Sequence, residues 1–204
     1  MRYDALASKD AVKKIMEAVK SRGIKPEFVN TKEAALKRLK ELIPSGAEIN
    51  MGTSTTLNEI GFIDLLKSGK HPWKNWKDVI LEEKDAAKQM ELRRKSVLSN
   101  YYLGSVHAVA ETGEIVIASG SGSQLPAYIY TSNNVIWVAG TQKIVPTLND
   151  AIKRVQEYTL PLENARMIRE GYSGSTIGKL LIFEREINPA RKMTLILVNE
   201  KLGF

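Results

Sequence analysis

The sequence predicts an α/β protein, a mostly parallel sheet with helices on both faces. Stretches with apolar residues at helical spacing alternate with short apolar runs. One run, Val135 to Ala139, is continuously apolar, as a parallel strand covered on both faces must be. Segments rich in glycine and hydroxyl residues follow several of these runs, where such a sheet turns into its connections.

The elements follow in order. Val12, Ile15, Met16 and Val19 share one helical stripe, with Ser8 as N-cap and Gly23 as stop. Ile24 to Val29 reads as a short strand. Thr31 caps a second helix carrying Ala35, Leu36, Leu39, Leu42 and Ile43, ended by Pro44-Ser45-Gly46. Ala47 to Met51 is a strand that runs into Gly52. Thr55 to Leu66 is helical with a break near Gly61, and residues 74–98 form polar helix on the outside. Val106 to Ala110 and Ile115 to Ala118 are strands joined through Glu111-Thr112-Gly113-Glu114. After Val135–Ala139 come helices over Leu148–Tyr158 and Leu162–Glu170, then strands at Leu180–Phe183 and Thr194–Val198. With no repeat or long linker, residues 1–204 read as one domain, residues 1–45 being an N-terminal helical segment packed on it.

Composition narrows the function. There is no Cys, so no thiolate-bound Fe–S cluster, no Cys-based zinc finger and no cysteine nucleophile. Two histidines, His71 and His107, exclude a multi-histidine metal site within one chain, and no carboxylate loop for Mg²⁺ or Ca²⁺ is visible; no metal site is expected. No apolar run is long enough to span a bilayer, and MRYDALASKD lacks the apolar core of a signal peptide, so no membrane role and a cytoplasmic location are expected. The net charge is +7. Residues 11–40 hold nine Lys/Arg against three acids, and residues 101–150 one against three. The surplus falls on the polar sides of amphipathic helices, so nucleic-acid binding is disfavoured against solvated helix faces. A basic protein also suits a small anionic ligand.

Several motifs fail on inspection. Gly171 to Lys179 has Ser173 where a Walker A loop needs its first glycine. Gly120-Ser-Gly122 starts like a dinucleotide fingerprint, but Leu125 replaces the third glycine. His107 reads as a packed strand histidine, His71 as a turn residue, and Trp73 and Trp76 as core packing.

Three segments remain, each placed where an α/β sheet carries its site. Gly52-Thr53-Ser54-Thr55-Thr56 could cradle an anion with backbone N–H groups and hydroxyls, or simply cap a helix. Glu111-Thr112-Gly113 holds a carboxylate in a tight turn, either a nucleophile or base, or a solvated hairpin residue. Ser119-Gly120-Ser121-Gly122-Ser123-Gln124 could form an anion nest or a plain surface loop.

In this order, with Leu125-Pro126, the strand Val135–Ala139 and the helix after Lys143-Ile-Val-Pro-Thr-Leu148, these segments resemble the LUD (lactate-utilisation) domain family over nearly the whole chain. That resemblance implies a Rossmann-like fold akin to ribose-phosphate isomerase and the CoA-transferases. It implies a lactate-utilisation protein, a subunit or accessory factor of an Fe–S lactate-oxidising system that binds a small anionic metabolite at strand-end loops. The Fe–S centre would come from partner subunits, because this chain has no cysteine-rich extension. The loop 119–124 also lacks the arginine found near this position in several relatives. Within CoA-transferases a Glu-x-Gly turn supplies the nucleophile, which makes Glu111 the catalytic candidate for an acyl- or CoA-transferring, or isomerising, enzyme. A non-catalytic metabolite-binding module and a homo-oligomer remain open alternatives.

Overall fold

The computed structural model describes residues 3–204. Met1 and Arg2, the start of the N-terminal segment, lie outside the described residues. The chain opens with α1 (Lys9–Ser21), β1 (Ile24–Val29), α2 (Lys32–Leu42) and β2 (Glu48–Met51). The short helices α3 (Thr55–Glu59) and α4 (Phe62–Lys67) follow, then β3 (Lys74–Asn75), α5 (Trp76–Glu82) and α6 (Ala86–Lys95). Four strands come next: β4 (Tyr101–Gly104), β5 (Ala108–Ala110), β6 (Ile115–Ser119) and, after a π-turn at Ala127–Thr131, β7 (Asn134–Gly140). The chain closes with β8 (Ile144–Val145), α7 (Leu148–Arg154), α8 (Leu160–Arg169), β9 (Lys179–Phe183) and β10 (Lys192–Val198).

Six strands form a parallel sheet in the order β1-β10-β7-β4-β2-β3. Alternation sets its two faces. Val135, Trp137 and Ala139 point to one side, with Val12, Ile15 and Val19 of α1. Ile136 and Val138 point to the other, with Leu39 of α2, Leu57 of α3 and Phe62 of α4. The helix starts are capped as their sequences demand: Ser8 Oγ accepts from Ala11 N at 3.2 Å, and Thr31 Oγ1 from Ala34 N at 3.2 Å. The N-terminal segment is woven into the sheet, because β1 pairs with β10 along its full length.

A second sheet, β8-β5-β6-β9, covers the α1 side, where helices alone were expected. Its inner residues Val109, Ile115, Ile117 and Phe183 join the core beneath α1. Trp137 meets Phe183 edge-on at 5.3 Å between ring centroids, a contact that adds about 0.5–1.5 kcal/mol to plain burial. Ala108, Val116 and Val145 face outward and are covered by Ala151 of α7 and Val155. The expected helices 148–158 and 162–170 are one continuous run, joined by a π-turn at Val155–Thr159. Pro161 does not break it, because it falls in the first turn of α8, where an N–H is dispensable.

Central strand β4 has no counterpart in the sequence reading. Its four residues, Tyr-Tyr-Leu-Gly, follow a long polar helical stretch and show no clean period. Of the two tryptophans expected in the core, Trp73 packs inward, whereas Trp76 is half-buried and joins none of the core clusters. Trp73 is buried and donates its indole N–H to Ile43 O at 3.1 Å.

Candidate functional site

A cavity of about 350 Å³ opens where the C-terminal ends of β2 and β4 and the turn after β7 meet the second sheet. Crevices outside the carboxyl ends of parallel strands are the usual ligand sites of such sheets. Gly52 to Thr56 line one wall, leaving β2 for α3. Ser105 to His107 line the next, carrying the chain from β4 into β5 and so from one sheet to the other. Ser119, Gly120, Ser121, Ser123 and Gln124 line a third. Glu163 and Arg166 of α8 stand opposite.

Two of the three expected segments therefore meet. Gly122 belongs to its loop but not to the cavity lining. Its N–H donates to Ser119 Oγ at 2.9 Å, and the Ser119 hydroxyl donates to Gln124 Oε1 at 3.0 Å. These bonds hold the loop in shape and consume one of the donors an anion nest needs. At the first segment, Ser54 Oγ accepts from Leu57 N at 3.2 Å, the plain capping role. Helix α3 has only five residues, so its dipole adds little.

The third segment stands apart: Glu111, Thr112 and Gly113 are not in the cavity lining. The reason is strand direction. Both β5 and β6 end in polar turns, but they run antiparallel, pairing Val109 with Ile115. Their C-terminal ends lie at opposite ends of the hairpin, and the five-residue strand Ile115–Ser119 separates the turns by roughly 13 Å. Gly113 takes φ 101° and donates its N–H to Ala110 O at 2.8 Å, which closes a three-residue hairpin loop. The Glu111 carboxylate pairs with Lys14 of α1 at 2.9 Å.

The group that dominates the cavity is Lys143, in the 3₁₀ turn after β7. It is 3% exposed, and its ammonium donates to Thr56 Oγ1 at 3.1 Å and Ser105 Oγ at 3.0 Å. Among the described residues no carboxylate lies within 4 Å of it. Burial lowers its pKa to about 7; the charge of Arg154 adds to this and that of Glu59 opposes it. Residues 202–204 lie over it: Gln142 donates to Leu202 O at 2.8 Å, and Gly203 N–H donates to Glu59 at 2.6 Å.

Of the other ionisable side chains that line the cavity, His107 and Tyr128 are neutral and Glu163 and Arg166 are paired. Burial holds His107 down to about 3, with Lys143 and Arg154 adding to the effect, so its imidazole is neutral. His107 Nδ1 accepts from Ala118 N at 3.1 Å, which makes it a wall residue that fixes β5 to β6. Burial likewise pushes the Tyr128 phenol up. A Cβ at Gly104 would collide with that hydroxyl, so Tyr128 reaches the cavity only because position 104 has no side chain. Arg166 is held by Glu163 at 2.6 Å and Glu170 at 2.7 Å.

Sequence reading missed Lys143, Ser105, Tyr128, Glu163 and Arg166 as site residues. For Lys143 a signal existed: a lone lysine three residues past the end of the most apolar strand, in the one stretch poor in basic residues. Among the described residues no cluster of three or more His, Asp or Glu could hold a metal ion, and no helix is long and apolar enough to cross a membrane.

Residues 12–176 match the LUD domain. The chain belongs to the LUD domain family. For this LUD domain, the match takes in both loops that line the cavity, and Lys143. It is similar in fold to a DUF162 family protein from Deinococcus radiodurans, with a TM-score of 0.54 and 15% identity over 95% of this chain and 99% of that one. Ribose 5-phosphate isomerase A from Methanocaldococcus jannaschii matches at a TM-score of 0.36 and 16% identity, over 68% of this chain and 64% of that one. eIF2B beta from Chaetomium thermophilum matches at 0.38 and 15%, over 69% and 48%. No curated protein matches the sequence.

Proposed function

We propose that the strand-end cavity binds a small anionic metabolite, with Lys143 as its charged anchor. The observation that carries this reading is a buried lysine facing hydroxyls and no carboxylate, in a cavity of small-molecule size. A buried cation without a counter-charge is costly, and an entering anion relieves that cost. The hydroxyls of Thr53, Ser54 and Ser123 line the cavity with a proton to offer a carboxylate or phosphate, whereas Ser119 gives its proton to Gln124 and Ser121 to Ser123. The LUD family setting directs the choice toward lactate-related acids. The chain then serves as the ligand-binding subunit or accessory factor of a lactate-oxidising system. Any Fe–S cluster in that system resides on a partner, because this sequence has no cysteine to hold one. A role for Glu111 as nucleophile in acyl transfer finds no support in its position outside the cavity.

Calorimetric titration with lactate, pyruvate and small phosphate esters tests the reading. An anion near Lys143 favours the ammonium, so binding takes up a fraction of a proton at neutral pH and weakens as pH rises above about 7. Lys143→Met loses at least tenfold in affinity, whereas Glu111→Gln keeps it. Equal affinity in wild type and Lys143→Met refutes the anchor.

A further inference from the structure

The geometry points to Lys143 as an amine nucleophile that forms an imine with a small carbonyl-bearing anion, a 2-oxo acid or an aldehyde phosphate. This rests on the anion-binding reading above and adds a covalent step to it. Thr56 and Ser105 fill two of the three hydrogen-bonding positions around Nζ, at 3.1 and 3.0 Å. No carboxylate pins the third, so the amine is oriented by neutral hydroxyls and keeps one direction for a reacting carbon. An exposed lysine at neutral pH is neutral only on the order of 0.1% of the time. Lys143, lowered to about 7 by burial and by Arg154 against the opposing pull of Glu59, carries comparable amounts of both forms. Desolvation beside a second cation is a recognised route to a nucleophilic lysine. Of the other charged side chains lining the cavity, Glu163 and Arg166 neutralise each other. The His107 ring is neutral.

The step balances without an oxidant or reductant. The Nζ lone pair attacks the carbonyl carbon, a C–N bond forms, and the C=O π pair moves to oxygen. An amine proton passes to that oxygen by way of the Ser105 or Thr56 hydroxyl, giving a carbinolamine. The proton left on nitrogen then passes to that oxygen, which departs as water while the nitrogen lone pair closes the C=N bond of the neutral imine. One proton from solvent then makes the iminium, which keeps a positive charge where the ammonium stood and so retains the anion.

The test incubates the whole protein at neutral pH with pyruvate, 2-oxoglutarate or glyceraldehyde 3-phosphate and cyanoborohydride, with lactate as the carbonyl-free control. Intact mass and peptide mapping follow. One reduced adduct per chain, at Lys143, is expected with at least one carbonyl compound and none with lactate. Lys143→Arg keeps a cation and gives no adduct at that position. No adduct, or adducts spread over exposed lysines with Lys143 spared, overturns the imine. Calorimetry on the same compounds separates the failures: binding without an adduct leaves the anion site standing, and no binding removes both. Mapping is done on the wild-type chain, so the result does not depend on any variant folding.

Discussion

Replacing Lys143 by methionine removes a buried amine while keeping an unbranched side chain of similar length. The unfolded chain holds this lysine's proton up to its ordinary value of about 10.4, whereas burial lets the folded chain release it at about 7. Between those two values the unfolded state binds more protons, so stability rises with pH across that window. A folded pKa of about 7 puts the cost of this lysine at about 4 kcal/mol at pH 7 and little more than 1 kcal/mol at pH 9.5. The difference, about 3 kcal/mol, belongs to Lys143 alone once the Lys143→Met chain is subtracted. Lost hydrogen bonds to Thr56 and Ser105 are independent of pH and cancel in that subtraction. For a chain of this size 3 kcal/mol corresponds to roughly 6–12 °C in Tm. Urea melts of both proteins at pH 7 and 9.5, without ligand, provide the measurement. The wild type gains about 3 kcal/mol relative to Lys143→Met on going to pH 9.5. Parallel behaviour of the two proteins refutes the reasoning, because it means Lys143 titrates alike folded and unfolded.

Other perturbations have separate signatures. His107, lowered to about 3 against an ordinary value near 6.5, contributes stability at neutral pH that is lost as pH falls through that interval. By pH 4 the loss is about 3 kcal/mol relative to His107→Gln, which keeps an acceptor for Ala118 N–H; acid melts that superimpose remove the claim. Glu111→Gln breaks an ion pair whose lysine is 63% exposed, and urea melts show a change below about 1 kcal/mol. A loss of several kcal/mol there contradicts the picture of a solvent-side contact. Arg191 is buried, pairs with Glu186 and donates to Tyr128 O at 2.9 Å, Ser132 O at 3.1 Å and Ile129 O at 3.1 Å, gathering the carbonyls around the π-turn. Arg191→Leu strands Glu186 and costs about 3–5 kcal/mol, part of which Glu186→Leu in the same chain restores. A double variant no more stable than the single one shows that the carbonyl contacts, not the charge pair, hold the turn.

Legibility in the sequence followed the physics of each element. Strongly periodic helices such as α1, and the strand β7 with its unbroken apolar run, could be read because burial imposes a pattern on every residue. Strand β4 could not, since its Gly104 makes room for the Tyr128 hydroxyl and its two tyrosines differ, Tyr101 half-buried and Tyr102 in the core. The error that mattered concerned direction. Treating the turns after β5 and β6 as neighbouring strand ends presumes parallel strands, yet the short link Glu111–Glu114 can only join antiparallel ones. That link alone separates Glu111 from the Ser119 loop.

The same reasoning explains why the Gly52–Thr56 loop and Lys143 line one cavity. In a parallel sheet every C-terminal strand end faces one side, so the loops after β2 and β4 and the turn after β7 must converge whatever their sequences. Gly52–Thr56 announced itself through composition, but Lys143 is a single residue in a 3₁₀ turn and has no local pattern. Its singularity lies in its cost: a charge placed in the interior lowers stability, and folds keep such groups where a ligand or a reaction uses them. A sheet that buries Lys143 against two hydroxyls, with no carboxylate in ion-pair contact, has therefore given up stability where the loops after β2 and β4 meet the turn after β7.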